Sequence, residues 1–238
     1  MILKRNAADR YSRIAPEWAG ETVVLIGGGP SLTVEQVATV RDWHRRGDVR
    51  CIAINDAYLL AEFADVCYFA DAKWYRWQQE GREKPGLTAE QVRQRWAEFA
   101  GEKCTIQTAQ PYIVDDAVHI LRNVAFPNHS TGISTDPGAL ATGWNSGFQA
   151  LNAAILAGAA DVLLLGFDGR PNADGKAHWF GDHPAATPVG FWPQMRRAFS
   201  EAQAAIRASG ARVVNCSPGS YIDTFPKMAL EDAMRVAA

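Results

Sequence analysis

The sequence predicts an α/β fold with a mainly parallel sheet between two layers of helices. Short apolar runs rich in β-branched residues alternate along the chain with segments of helical periodicity, as in sheets whose parallel strands are joined by crossover helices. Several of these runs end in Gly, Asn or Asp, residues that favour turns at the carboxyl ends of strands. We therefore predict a Rossmann-like three-layer sandwich that carries a lid insertion.

The length and composition agree with one domain. The chain has 238 residues, of which 47% are hydrophobic and 21% are charged, close to the average for globular proteins. One α/β core organises a chain of that length. We expect a single domain over residues 1–238, with a helical insertion at about 74–100 and a lid at about 168–190.

The charge balance argues against a nucleic-acid partner. The formal net charge of −2 at pH 7 gives no electrostatic reason to bind nucleic acid or an anionic membrane surface. The first segment is locally basic, and we interpret it as a solvated arm rather than a binding site. Its cationic residues are Lys4, Arg5, Arg10 and Arg13.

The cysteines and the hydropathy pattern favour a cytoplasmic protein. No stretch approaches the roughly 20 apolar residues that span a bilayer, and Met1 to Arg5 are not followed by the apolar region of a signal peptide. The four cysteines are widely spaced and form no CxxC pair, so we expect buried thiols in a reducing compartment. They are Cys51, Cys67, Cys104 and Cys216.

The first half of the chain contains the elements that surround a glycine-rich turn. Residues 22–26 (TVVLI) predict a buried strand, and Thr33 with Gln36 forms a capping-box pattern that begins a helix ending near Gly47. The apolar face of this helix is expected to carry Val34, Val37 and Val40. Further strands are predicted at 51–54, 66–70 and 104–106, with a helix capped by Thr88 and Gln91 before the last of them.

The second half continues the alternation after a segment of turn-forming residues. Residues 123–143 are predicted to form a loop, because proline, glycine and asparagine are frequent there. The stretch at 168–190 is too long for an ordinary connection, which favours a functional lid. Helices are predicted at 145–158, at 191–209 and at the end of the chain, and strands at 161–165 and 212–215.

The glycine-rich turn is the first candidate for a binding site. A strand that runs into consecutive glycines and then into a helix offers unhindered backbone N–H groups at a positive helix end, which suits a phosphate. The turn lacks the lysine of a P-loop and the glycine spacing of the dinucleotide fingerprint. A turn with a purely structural role is the alternative. Its residues are Gly27, Gly28, Gly29, Pro30 and Ser31.

Polar residues at other strand ends and helix starts extend this candidate site. Asn55, Asp56 and Asp71 follow neighbouring strands, where open α/β sheets bind ligands, and they are expected to contact ribose, base or a metal ion unless they only cap the next element. Capping is likewise the alternative for the remaining candidates, which follow or precede other elements. These are Asn145, Ser146, Asp168 and Ser217.

The lid contributes two candidate catalytic histidines. An imidazole with an ordinary pKa near 6.5 accepts a proton at neutral pH, so His178 or His183 is a candidate general base. A metal site formed by these histidines with Asp168 and Asp182, and a structural role within the lid, are the alternatives. Trp179 and Phe180 lie between the histidines, where they would either stack on a planar ligand or pin the lid.

Several runs in order resemble a group of nucleotide-dependent transferases. These runs are VVLIGGGPSL, the strand ending at Asn55, TGWNSGFQALNAAILAGAADVLLLGFD and NCSPGS. The group contains bacterial lipooligosaccharide sialyltransferases, 6-hydroxymethylpterin diphosphokinase-like proteins, and uncharacterised phage and bacterial relatives. The resemblance implies that Gly28, Gly29, Pro30, Ser31 and Asn55 hold a cytidine nucleotide. For the diphosphokinase-like members it implies ATP with Mg²⁺ on Asp71 and Asp168.

Three functions follow as hypotheses. The first is a glycosyltransferase that takes a CMP-sugar or another nucleotide sugar and uses a lid histidine as general base. The second is a Mg²⁺-dependent pyrophosphoryl transfer from ATP, and the third is a nucleotide-binding module without catalysis. Each makes a small-molecule nucleotide the partner, with an acceptor in the first two. The sequence does not decide whether the chain forms a homo-oligomer.

Overall fold

A computed structural model describes residues 1–6, 9–107, 115–124, 132–180 and 189–237 of the chain. The strands in these ranges are β1 (Leu3–Asn6), β2 (Asp9–Ile14), β3 (Thr22–Ile26), β4 (Arg50–Ile54), β5 (Val66–Phe69), β6 (Glu102–Ile106), β7 (Val118–Val124), β8 (Ala139–Ala141), β9 (Asp161–Leu165) and β10 (Arg212–Asn215). The α-helices are α1 (Val34–Arg46), α2 (Ala72–Glu80), α3 (Ala89–Glu98), α4 (Ser146–Leu156), α5 (Phe191–Ala208) and α6 (Leu230–Ala237).

Eight of these strands form one parallel sheet in the order β10-β9-β3-β4-β5-β6-β7-β8. From β3 the chain adds strands in one direction as far as β8. It then returns through α4 to place β9 on the other side of β3. The strand order therefore reverses between β3 and β9, which is the point where open α/β sheets leave a crevice at their carboxyl ends.

Helices cover both faces of this sheet, which confirms the predicted Rossmann-like three-layer arrangement. Along β3, Val23 and Leu25 belong to one buried cluster, whereas Val24 and Ile26 belong to another. This alternation follows from the two-residue period of a strand. The first cluster is completed by α4 and α5, and the second by α1, α2, α3 and α6. Both faces are apolar, so the strands read as continuous hydrophobic runs.

The predicted capping signals are present at the helix ends. Thr33 and Gln36 form a complete capping box at α1, and Thr88 and Gln91 form another at α3. Gly47 ends α1 in the left-handed conformation. The prediction for Val34 was wrong, since its side chain is 63% exposed. Three residues of an α-helix turn through about 300°, which is about 60° less than a full turn. Val34 therefore points away from the buried face that carries Val37 and Val40.

The N-terminal segment is a β-hairpin, which corrects the expectation of a solvated arm. Strands β1 and β2 pair in antiparallel fashion, and Leu3 and Ile14 are buried in the core. The backbone N–H groups of Ile2 and Leu3 donate to the carboxylate of Glu102 at 2.8 and 3.0 Å. The cationic side chains face outward. The basic residues alone indicated a solvated segment, whereas the apolar residues that alternate with them, such as Leu3 and Ile14, pack it against the core.

The segment predicted as a loop at 123–143 contains the end of β7 and the edge strand β8. Strand β8 has three residues, which is too short to give an alternation signal among the turn formers that flank it. The predicted helical insertion at about 74–100 corresponds to α2 and α3, which connect β5 to β6. Trp74 and Trp96 from these helices pack edge to face in the core, with ring centroids 5.5 Å apart.

The thiols and the helices agree with two of the compositional expectations. All four cysteines are free and buried, as the sequence predicted. Among the helices in the described part of the chain, none combines the length and the hydrophobicity that crossing a membrane requires.

His119 links β7 to the N-terminal hairpin. Its Nδ1 atom lies 2.9 Å from the hydroxyl oxygen of Ser12 on β2. Burial, together with the positive charge of Arg5, lowers the pKa of His119 from 6.5 to about 4. The folded protein therefore favours the neutral imidazole.

We expect this imidazole to contribute to acid destabilisation. The unfolded chain has a His pKa near 6.5 and binds the proton first, so the contribution of His119 to stability is complete above about pH 6.5 and is lost as the pH falls towards 4. His119→Gln keeps a hydrogen-bonding group opposite Ser12 without this titration. Calorimetric melting temperatures at pH 7, 6, 5 and 4 should fall less steeply for the variant than for the wild type. Parallel curves would contradict this assignment.

Candidate functional site

A cavity of about 430 Å³ lies at the carboxyl ends of β3, β4, β5 and β9, beside the first turn of α4. It occupies the place where the strand order reverses. Most of the predicted site residues line it, whereas Pro30, Ser31 and Ser217 are not among its lining residues and His183 lies outside the described residues. The predicted residues in its wall are Gly27, Gly28, Gly29, Asn55, Asp56, Asp71, Asn145, Ser146, Asp168 and His178.

The glycine-rich turn is bonded mainly to the neighbouring strand end. The backbone N–H of Gly27 donates to the carbonyl of Leu165 at 2.7 Å, and that of Gly29 donates to the carbonyl of Gly166 at 2.9 Å. A Cβ on Gly29 would lie 2.5 Å from the Gly166 carbonyl oxygen and 2.0 Å from Oδ2 of Asp168. Gly29 is therefore required by the close approach of two backbone segments.

The carboxylate of Asp168 occupies the place where we had expected a phosphate. Its Oδ2 atom accepts hydrogen bonds from the backbone N–H of Ser31 at 3.3 Å and from the Ser31 hydroxyl at 3.0 Å. Helix α1 starts only at Val34, and Thr33 satisfies its first turn. The expectation that Gly27, Gly29 and Ser31 present open amides to a ligand is thus wrong. Within the described ranges, Gly28 keeps an N–H group with no hydrogen-bond partner.

Asp168 is a buried carboxyl that still reaches the cavity. Its residue is 7% exposed, and burial raises the pKa of its carboxyl, while the hydrogen bonds from Ser31 and the charge of Arg170 act in the opposite direction. Asp168 is also one of the residues that line the cavity.

The start of α4 supplies two further open amides beside that of Gly28. Asn145 caps this helix, because its side-chain oxygen accepts the N–H of Phe148 at 2.7 Å. The N–H groups of Ser146 and Gly147 have no partner in the part of the chain that the structure describes. Both residues line the cavity. The positive end of the α4 dipole thus lies at its wall.

Two residues in the wall of this cavity have a strained backbone conformation. Asn55 has a φ of 51° and Trp144 has a φ of 59°, and they are the two non-glycine residues with positive φ in the described ranges. Both line the cavity. Side chains in this conformation are uncommon and concentrate at functional sites, where the surrounding structure holds them. Their position identifies this end of the sheet as a specialised region.

The carboxylates of Asp56 and Asp71 are engaged by the protein itself. Asp56 forms a buried ion pair with Lys84 at 2.7 Å and accepts a hydrogen bond from the Trp74 indole at 3.0 Å. Asp71 caps α2 by accepting the N–H of Lys73 at 2.7 Å. Asp71 therefore caps a helix, which is the alternative that the sequence left open. Asp56 binds the side chain of Lys84 where we expected it to bind a ligand.

Ser217 has a similar internal role. Its hydroxyl oxygen accepts the N–H of Phe167 at 2.7 Å. This bond holds the turn that follows β9, so Ser217 shapes the cavity without lining it.

The lid lies against the glycine turn. The backbone N–H of Trp179 donates to the carbonyl of Gly28 at 3.1 Å. The ring of His178 stacks on that of Phe180, with centroids 5.0 Å apart and planes 1° apart. The His178 Nδ1 atom lies 3.5 Å from the place where a Cβ of Gly28 would be. Of the two candidate bases, His178 thus borders the open amide of Gly28.

The sequence analysis missed several residues of the cavity wall. Arg170 and a set of aromatic side chains line it together with the predicted residues. Arg170 follows Asp168 by two positions, so its place after β9 was the signal that could have identified it. Trp144 and Trp192 give no such signal, because each depends on a loop path. Phe180, which the sequence indicated as a stacking candidate, is in the wall, and the aromatic residues that it did not indicate are Trp74, Trp144, Phe167, Phe191 and Trp192.

The described residues do not assemble a metal-ligating cluster. No three His, Cys, Asp or Glu side chains within the described ranges are grouped as ligands for one ion. Of the alternative lid set, Asp182 and His183 lie outside those ranges. The carboxylates that the cavity offers to a cation are those of Asp71 and Asp168.

We expect Gly29 and Gly28 to respond differently to a methyl group. Gly29→Ala should destabilise the protein by more than about 3 kcal/mol, because the new Cβ meets both backbone and carboxylate. Gly28→Ala places its Cβ at an ordinary contact distance of 3.5 Å and serves as the matched control, with a change within about 1 kcal/mol. Urea denaturation measures both values. Equal losses would show that the turn is not held by the close approach at Gly29.

The Asp56–Lys84 pair generates a second stability prediction. The two side chains are 4% and 7% exposed, so Lys84→Met leaves a buried carboxylate without its cation and should cost about 3–5 kcal/mol. The double variant Asp56→Asn, Lys84→Met removes both charges and should recover most of that loss. Chemical denaturation of the wild type, of the single variants Lys84→Met and Asp56→Asn, and of the double variant completes the cycle. A double variant as unstable as Lys84→Met would contradict the role of the pair.

Comparisons of the chain with protein-family models, with curated proteins and with solved structures find no match. The cavity and its residues therefore carry the functional interpretation.

Proposed function

We propose that this protein is a transferase that binds a nucleotide-activated donor in the cavity, and that the reaction is glycosyl transfer from a nucleotide sugar. One observation carries the proposal. A cavity of about 430 Å³ at the point of strand reversal is lined both by aromatic residues and by three residues whose backbone N–H groups have no hydrogen-bond partner among the described residues. Its size is that of small-molecule sites in general. Amides suit the phosphates of such a donor, and rings suit its base and sugar.

The phosphates are assigned to the start of α4 and to Gly28. Gly28, Ser146 and Gly147, whose N–H groups have no partner among the described residues, all line this cavity. Two of them belong to the first turn of a helix, where the dipole favours an anion. The assignment keeps the phosphate site predicted from the sequence at the strand ends, but it moves the main anchor from the glycine turn to the opposite helix.

The base and the sugar are assigned to the aromatic side of the cavity. Trp144 and Trp192 offer flat apolar faces, and planar ligands stack on such rings in offset or edge-to-face geometry. Asn55, in its strained conformation, has an amide that both donates and accepts hydrogen bonds. This combination selects a polar planar group over an aliphatic one.

His178 is assigned as the general base. In glycosyl transfer, the acceptor oxygen forms a bond to the anomeric carbon of the donor. The bond between that carbon and the phosphate oxygen breaks, and its electron pair leaves with the nucleotide. The proton of the acceptor hydroxyl passes to the imidazole, which lies beside the Gly28 amide. His183 remains the second candidate for this role.

Pyrophosphoryl transfer from ATP is the second candidate function. Asp71 and Asp168 line the same cavity, and Mg²⁺ commonly uses one or two carboxylates together with substrate phosphates. With Mg²⁺ bound, these two residues would hold an ion that neutralises charge on the phosphates. A binding module without catalysis is the third candidate.

Thermal shifts with nucleotides distinguish the first two candidates. We expect CMP, UMP or their sugar conjugates to raise the melting temperature without added metal, because the anchors are backbone amides. Ser146→Pro removes one of those N–H groups at a helix position that tolerates proline, and should reduce the shift. If ATP is the only nucleotide that stabilises the protein, and if its effect requires Mg²⁺, the result would favour pyrophosphoryl transfer. The absence of a shift with every nucleotide tested would contradict the proposal.

Histidine variants test the catalytic assignment. His178→Asn should reduce turnover of a donor that the screen identifies by about 100-fold or more, while the nucleotide-induced thermal shift persists. His44→Asn, on α1 and away from the cavity, is the control. Unchanged turnover in His178→Asn would transfer the role to His183. Unchanged nucleotide binding with no turnover of any donor by the wild type would favour the binding module.

A further inference from the structure

Two arginines stand at the same tyrosine beside the cavity. The guanidinium carbon of Arg170 lies 3.9 Å from the ring centroid of Tyr221, and that of Arg196 lies 5.9 Å from it. Tyr221 is itself fixed, because its backbone N–H donates to the carbonyl of Asp168 at 2.7 Å. Its side chain is 49% exposed. Both cations therefore lie at the surface beside Tyr221, which is bonded to Asp168 in the turn after β9.

The backbone fixes this arrangement further. Arg196 reaches back from α5 and donates from Nη1 to the carbonyl of Gly169 at 2.8 Å. Gly169 has a φ of 68°, and a Cβ there would lie 3.4 Å from Cγ of Arg196 and 3.0 Å from Cγ1 of Ile222. The glycine thus lets the arginine stem pass close to the turn. These contacts restrict the position of the Arg196 guanidinium more than full exposure to solvent would.

Neither guanidinium forms an ion pair with a carboxylate of the described residues. Arg170 interacts electrostatically with Asp168, but that carboxylate already accepts hydrogen bonds from Ser31. Two like charges at one ring repel each other, and a bound oxyanion relieves that repulsion. Planar guanidinium groups bind carboxylate and phosphate oxygens in pairs.

We propose that Arg170 and Arg196 form a subsite for an acceptor that carries an oxyanion, such as a sugar with a carboxylate or phosphate group. Arg170 lines the cavity whereas Arg196 does not, so the subsite extends from the cavity to its rim. The assignment to an acceptor rests on the proposed transferase function. The phosphates of the donor are served by the amides of Gly28, Ser146 and Gly147 inside the cavity. The arginine pair is left for a second, negatively charged substrate.

The test uses D-glucuronate and inorganic phosphate as probes, and D-glucose as the neutral control. In ¹⁵N-labelled protein, the side-chain Nε–Hε signals of Arg170 and Arg196 should shift with either anion and not with glucose. Arg170→Gln should weaken the binding of glucuronate by about tenfold, since one charge-assisted hydrogen bond is lost. Arg207→Gln, an exposed arginine on the same helix as Arg196, should leave it unchanged.

Addition of a nucleotide separates the sources of the anion. Glucuronate that still binds when CMP or UMP saturates the protein supports the acceptor subsite. Displacement of glucuronate by the nucleotide overturns it, because the arginines would then serve donor phosphates. Equal affinity in Arg170→Gln and the wild type also overturns it. If the protein binds glucuronate but no nucleotide, the anion site stands, whereas the proposed function and the acceptor assignment both fail.

Discussion

The close backbone contact between the turn after β3 and the turn after β9 determines the rest of this site. Gly27 and Gly29 donate to the carbonyls of Leu165 and Gly166, and this contact leaves no room for a side chain on Gly29. It fixes the two central strands in register at their carboxyl ends. It also brings Asp168 over the turn, where the carboxylate bonds to Ser31. The cavity is the space that remains beside this sealed turn.

Most of the fold could be predicted because both faces of the sheet are buried. Each parallel strand from β3 to β5, together with β9 and β10, appears as a continuous apolar run, and capping boxes at Thr33 and Thr88 mark two of the helix starts. The elements that escaped prediction depend on distant partners. Strand β8 is formed by pairing with β7. The N-terminal hairpin is bonded to Glu102, which is 100 positions from Ile2 in the sequence. Neither partner is visible in the local sequence.

The site was predicted in its location more than in its chemistry. A strand end, a helix start and the lid segment indicated Asn55, Asn145 and His178, and all three line one cavity. The role of the glycine turn was misjudged, because three glycines fit a phosphate and a close backbone neighbour equally well in sequence. Only Gly166 and Asp168, far along the chain, decide between these cases. The same holds for Asp56, whose partner Lys84 belongs to the connection between α2 and α3.

The internal carboxylate at the glycine turn separates two properties that nucleotide sites commonly combine. In a phosphate-binding loop the same amides limit stability when empty and supply affinity when filled. In this protein Asp168 bonds to Ser31 of that turn, so the turn contributes to the stability of the fold without a ligand. Under the proposed function, the affinity for a nucleotide then comes from the Gly28 amide, the start of α4 and the aromatic side chains of the cavity. Under the proposed function, a substitution at an exposed residue of the cavity wall such as Trp144 would change ligand preference and leave the bonded turn intact, so that specificity could diverge on an unchanged architecture.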